Sequence, residues 1–127
     1  MVIIDTNIII DHLRLEDKQV ESRLMTLART KPKEVLAISM FTIQELYEGR
    51  STKDTQKEQY LLATISPLKI MPYNYEIAKL AGEIARDIDK PIELADAAIA
   101  ATAIWNDCQL ATLNIKDFSD IDKLQLL

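Results

Sequence analysis

Short apolar runs alternate along the 127-residue chain with longer segments whose apolar residues recur every three or four positions. Val2 to Asp5 reads as a short buried strand, and Asn7 to Leu13 continues as one or two apolar helical turns. The spacing of Val20, Leu24, Leu27 and Ala28 predicts a helix over Lys18 to Thr30 with those residues on its inner side. Val35 to Ser39 is a second strand, followed by a helix around Thr42 to Gly49 and a polar helix over Asp54 to Thr64. Leu68 to Met71 is a third strand, closed by Pro72. The clearest helix runs from Tyr75 to Asp89, with Ile77, Ala81, Ile84 and Ile88 as its apolar stripe. Glu93 to Asn106 is alanine-rich and apolar almost all round, so it should be buried. Leu110 to Leu113 gives a fourth strand and Leu124 to Leu126 a weak fifth.

Strands that alternate with helices imply parallel pairing through right-handed crossovers. The expected class is therefore α/β, a three-layer α/β/α sandwich around a mainly parallel sheet of four or five strands, with residues 1–127 as a single domain. Two glycines and four prolines argue against a many-hairpinned all-β chain. A composition that is 48% hydrophobic and 28% charged is that of an ordinary globular protein. The one cysteine, Cys108, cannot form an internal disulfide, which points to a reducing compartment. The opening Met1-Val2-Ile3-Ile4-Asp5 does not read as a signal peptide, and no apolar run approaches the roughly 20 residues of a bilayer span. The expectation is a cytoplasmic protein without membrane attachment. A net charge of −5 disfavours a non-specific nucleic-acid coat. It leaves room for an enzyme that gathers carboxylates at one spot and keeps its cations elsewhere.

In doubly wound folds, ligands bind beyond the carboxyl ends of the strands, where strand order reverses. Four acids answer to that criterion. Asp5 ends the first strand, Glu45 lies on the helix after the second, Asp96 falls in the first turn of the alanine-rich helix, and Asp117 follows the fourth strand. Each also has a plainer explanation. Asp5 can cap the following helix, Asp96 is favoured by the helix dipole, Glu45 can be a surface acid, and Asp117 can be a turn residue. Their common end of the sheet is what joins them. Crowded carboxylates repel, and a hard divalent ion with oxygen ligands, magnesium or manganese, relieves that repulsion. Such an ion suits phosphodiester hydrolysis. No Ser-His-Asp set is evident, and the only histidine is His12.

Four segments then carry a resemblance: Ile3-Ile4-Asp5-Thr6-Asn7, the run from Ser39 to Arg50 that contains Glu45, the run Asp96-Ala97-Ala98-Ile99-Ala100-Ala101-Thr102-Ala103, and Leu110 to Phe118 with Asp117. In order and spacing they resemble the successive motifs of PIN domains, nearest to the VapC-type toxins of prokaryotic toxin–antitoxin pairs, over nearly the whole chain. The resemblance implies catalytic acids at Asp5, Glu45, Asp96 and Asp117, with the metal on Asp5, Asp96 and Asp117 and polar support from Thr6 and Asn114. It also implies magnesium- or manganese-dependent endoribonuclease activity on structured RNA such as tRNA, leaving 5′-phosphate and 3′-hydroxyl ends. The implied partners are a cognate antitoxin, whose tail presents an arginine to the acids, and a second copy in a homodimer. One departure is the segment Asp89-Lys90-Pro91-Ile92-Glu93, where relatives commonly carry a glycine before the third acid.

Lys116 and Arg50 stand next to these motifs and are candidates for RNA phosphate contacts. His12 and Cys108 read as structural, Trp105 and the Tyr75–Asp89 stripe as core, and Glu48 and Glu93 as solvated acids that could reach an outer shell. Two other functions fit the same chain less well: a PIN-fold RNA-processing nuclease without an antitoxin, and a non-catalytic acidic metal-binding module.

Overall fold

A computed structural model of the chain describes residues 1–15 and 19–127. It contains one parallel sheet built from β1 (Val2–Ile4), β2 (Leu36–Ser39), β3 (Lys69–Met71), β4 (Gln109–Ala111) and β5 (Gln125–Leu126). Strand order is β3-β2-β1-β4-β5. The chain thus winds outward from β1 on one side, then returns to lay β4 and β5 on the other. Val2 pairs with Leu36 on one flank and Gln109 on the other, and Ile4 reaches Ala111. Strand order reverses about β1, so the crevice of this fold lies where β1 and β4 end.

Alternation along β1 explains the layers. Val2 and Ile4 face one cluster with Ile8 and Ile9 of α1 (Thr6–Arg14), Leu24 and Leu27 of α2 (Arg23–Thr30), Leu46 of α3 (Met40–Glu48) and Leu61 and Ile65 of α4 (Thr55–Ile65). Ile3 faces the opposite cluster, with Ile99, Ala100 and Ala103 of α6 (Leu94–Trp105) and with Phe118 and Ile121. A third cluster joins Ile77 and Ala81 of α5 (Tyr75–Asp87) to Ala97 and Ala101. Helix α6 is therefore covered by the sheet on one side and by α5 on another, which is why it can be apolar almost all round. The small alanines let both neighbours approach.

Helix starts are set by side-chain caps. Ser22, Ser39, Asp54 and Asn74 accept from the amides of Met25, Phe41, Gln56 and Ile77 respectively. The Ser22 cap corrects one expectation. Helix α2 begins at Arg23, five residues later than the apolar spacing implied, and Val20 and Ala28 are exposed. Gln19 has φ 47°, a conformation no helix admits. Lys18, where that helix was expected to start, lies outside the described residues. The Ser39 cap likewise starts α3 at Met40, before Thr42.

Strand β4 stops at Ala111, because Thr112 turns its hydroxyl to Asp5 and Leu113 leaves the sheet half exposed. Trp105, expected in the core, is 53% exposed at the last turn of α6. That helix ends in a Schellman arrangement, with Cys108 N donating to Ala103 O and Asp107 N to Ile104 O, and Asp107 takes the left-handed position usual for glycine. Two 3₁₀ turns, Arg50–Lys53 and Ile115–Asp117, were not foreseen. Among the described residues, no helix is long and apolar enough to cross a membrane.

Candidate active site

Asp5 is the first residue past β1 and only 5% exposed. It occupies the N-cap position of α1, yet its side chain makes no cap hydrogen bond. Instead, Thr112 at the end of β4 donates from Oγ1 to Asp5 Oδ2 at 2.7 Å. The hydroxyl of Thr112 in turn accepts from the Asn114 amide at 3.0 Å and from Asn7 Nδ2 at 3.4 Å. Asn7 also accepts from the Leu113 amide. One threonine thus fixes a carboxylate on β1 to the loop beyond β4. Burial pushes the Asp5 carboxyl above its usual range, the Thr112 bond works against that, and Asp117 adds to the rise.

Glu45 enters from α3. Thr6 donates to Glu45 Oε1 at 2.6 Å and lies 3.0 Å from the hydroxyl of the fully buried Thr42. The adjacent residues Asp5 and Thr6 therefore organise both halves of the acid set. The Glu45 carboxyl is raised first by burial, opposed by the Thr6 bond, and raised further by Asp5, Glu48 and Glu93.

Asp96 sits in the first turn of α6 and shows the largest effect. Burial, then the charges of Asp5, Asp117, Glu45 and Glu93, push its carboxyl up to about 6. No hydrogen bond or ion pair reaches it among the described residues. Asp117 lies on the exposed 3₁₀ turn, where Asn114 Nδ2 donates to its Oδ2. Asp96 and Asp117 line a cleft of about 270 Å³ with Lys90, Pro91, Ile92 and Glu93. Asp96 thus feels the charges of the other three expected acids, at the crevice the topology defines.

Lys116 is exposed on the turn that carries Asp117. Arg50 is exposed in the turn after α3 and lines neither the acid cleft nor the neighbouring groove. That groove, of about 440 Å³, runs from Glu45 past Ile10, Leu13, Leu46, Tyr60 and Leu61, and its cations are Arg14 and Lys57. Glu93 does reach the site, through its charge on both Asp96 and Glu45. The glycine missing before the third acid has no strained position to serve: among the described residues only Gln19, Asp107 and Lys123 have positive φ outside glycine.

Sequence reasoning missed Thr112, Asn7 and Thr42. The signal that could have found Thr112 is its place one residue past β4, at the same level as Asp5 past β1.

The acids offer only oxygen donors, and their charges disfavour full ionisation, which suits a hard divalent cation. No closed cage of three or more acidic, histidine or cysteine side chains stands ready among the described residues. The fit rests on donor chemistry and mutual repulsion, which an ion would relieve as it drew the carboxylates in.

His12 is the centre of a separate polar cluster. Its Nδ1 pairs with Ser22 Oγ at 2.7 Å and its Nε2 with the Tyr60 hydroxyl at 3.0 Å, joining α1, the α2 cap and α4. Those contacts tie three helices together.

A parallel sheet in this order, with helices on both faces, is the architecture of a PIN fold, and residues 2–124 match the family model described as "PIN domain". The chain belongs to the PIN-domain family. Ribonuclease VapC10 of Mycobacterium tuberculosis is 33% identical over 98% of the chain and 91% of its own length. The VapBC2 structure from Rickettsia felis, bound to a DNA fragment from their promoter, superimposes with a TM-score of 0.81 at 26% identity over 100% of this chain and 98% of that one. A toxin–antitoxin complex from Klebsiella pneumoniae gives 0.75 at 28% identity over 98% and 95%.

Proposed function

We propose that the chain is a divalent-metal-dependent endoribonuclease and the toxin of a toxin–antitoxin pair. The observation that carries this reading is the meeting of Asp5, Glu45, Asp96 and Asp117 at the β1–β4 crevice, with Asp96 pushed up to about 6. Full-length similarity to a VapC ribonuclease supports it.

Asp5, Asp96 and Asp117 would hold the ion, magnesium or manganese. When bound, that ion supplies charge neutralisation at a scissile phosphate and eases deprotonation of water. The chain's own contribution is positional. Thr112 aims Asp5 and favours its charged form against burial, and Asn114 holds Asp117. Thr6 occupies Oε1 of Glu45, which leaves Oε2 to accept the proton of an attacking water.

The substrate is RNA, with structured molecules such as tRNA as the expected class. Lys116 stands beside Asp117 for phosphate contact, and Arg14 and Lys57 are better placed than Arg50 along the Glu45 groove. The antitoxin tail would lie in that groove, its apolar side chains on Leu13, Leu46 and Leu61 and an arginine directed at the carboxylates, which match guanidinium geometry. A homodimer completes the expected assembly.

The test is cleavage of total tRNA by the partner-free protein in manganese or magnesium. Discrete products that vanish in EDTA and in Asp5→Asn support the reading. Cleavage that persists in both would overturn it.

A further inference from the structure

We infer that Lys90 is a positioning residue that straps the Asp117 turn to the segment leading into Asp96, and so sets the opening between the two acids. The inference rests on the metal-site reading above. Lys90 precedes Pro91 and Ile92, and Ile92 packs into both clusters around α6, so its backbone is anchored. Its ammonium reaches across the cleft to the other wall. Nζ donates to the carbonyl of Lys116 at 2.9 Å and pairs with Asp120 Oδ2 at 3.2 Å.

The Lys116 carbonyl belongs to the peptide that enters Asp117. The other end of that peptide is also held, because the Asp117 amide donates to Asn114 O at 3.1 Å. With Asn114 Nδ2 on the Asp117 carboxylate, peptide and side chain are pinned from both sides, and Lys90 is the only one of these contacts that crosses from the α6 side.

Lys90 lines the same cleft as Asp96 and Asp117. Its contacts are the Lys116 carbonyl and Asp120, and neither is a cleft acid, so the ammonium acts on Asp117 through the backbone it holds. An exposed ion pair contributes little by itself. A charged donor on a backbone carbonyl is the stronger contact and the one with geometric consequence.

The experiment compares wild type with Lys90→Met, Lys90→Arg and Asp120→Asn. Manganese binding is followed by calorimetry, melting is followed in EDTA, and amide exchange is measured over residues 114–118. Lys90→Met should weaken manganese binding by about an order of magnitude and speed exchange in that turn, while melting in EDTA shifts by only a few degrees. Lys90→Arg should restore both readouts. Asp120→Asn, which spares the carbonyl bond, should change them least. Unchanged exchange and manganese affinity in Lys90→Met would overturn the inference, as would an Arg variant no better than Met. If wild type itself binds no manganese, it is the metal-site reading that fails, and the exchange data alone then decide for or against the strap.

Discussion

Removing the Asp96 charge should stabilise the metal-free protein, the reverse of what removal of a polar group from a fold usually does. In the folded state the Asp96 carboxyl titrates at about 6, raised from 3.8 by burial and by its acidic neighbours. A raised carboxyl binds protons more tightly folded than unfolded, so stability falls as pH rises between those values and the full cost is present above them. A shift of about 2 units corresponds to ~3 kcal/mol at most. Solvent reaches part of the side chain, so ~1–2 kcal/mol is the realistic magnitude. For a chain of this length that is roughly 4–8 °C in melting temperature.

The assay is thermal unfolding by circular dichroism in EDTA, for wild type and Asp96→Asn, near pH 7.5 and again near pH 4. The variant should melt higher at the first pH, and the gap should largely close at the second, where the wild-type carboxyl is already protonated. Manganese at the higher pH should then favour the wild type, whose ligand is intact. A variant that melts at or below wild type in EDTA, or a gap unchanged by pH, would refute the reasoning.

Thr112→Val should leave Asp5 buried without its hydroxyl partner, at ~1–3 kcal/mol in urea unfolding and with weakened manganese binding, while Thr112→Ser keeps both. A Val variant indistinguishable from wild type would show that the Thr112 bond is dispensable. His12→Ala should lower stability by ~1–3 kcal/mol through the Ser22 and Tyr60 contacts yet retain RNA cleavage at saturating manganese, and loss of cleavage in a folded variant would contradict its packing role. Lys116→Glu should weaken RNA binding and reduce the slope of log affinity against log salt by about 1–2, read by titration at several salt concentrations. An unchanged slope would remove Lys116 from the phosphate path.

Much of this architecture was legible in the chain because its signals are local. Val2–Ile4 as a continuous apolar run could only be a strand buried on both faces, and the apolar girth of α6 required cover on several sides. The acids were legible as candidates from their places by such elements: Asp5 just past β1, Glu45 on α3, Asp96 in the first turn of α6 and Asp117 in the turn after β4. What was not legible depends on pairs that no local period records. Thr112 and Asp5 are 107 residues apart, and only the order β2-β1-β4 makes their strand ends neighbours. A threonine at a strand end otherwise reads as an ordinary β-former. Helix α2 was placed too early because Val20 matched the apolar spacing, whereas the hydroxyl of Ser22 decided the boundary.

The contacts around the acids divide the site into two unequal halves. Asp5 and Glu45 are held by Thr112 and Thr6, which are themselves 9% and 4% exposed and lodged between packed elements. Asp117 rides on an exposed 3₁₀ turn secured by Asn114 and Lys90, and Asp96 has no hydrogen-bond partner among the described residues. Charge repulsion therefore has one direction in which it can be relieved: Asp5 and Glu45 cannot retreat without breaking their bonds to packed threonines, whereas the Asp117 turn can open at the cost of surface hydrogen bonds. This division accounts for carboxyls at Asp5, Glu45 and Asp96 that are raised by their acidic neighbours while no cage closes among the described residues. Adjustment on binding a cation should fall mainly on the Asp117 turn, with Asp5 as the fixed point against which the others are drawn.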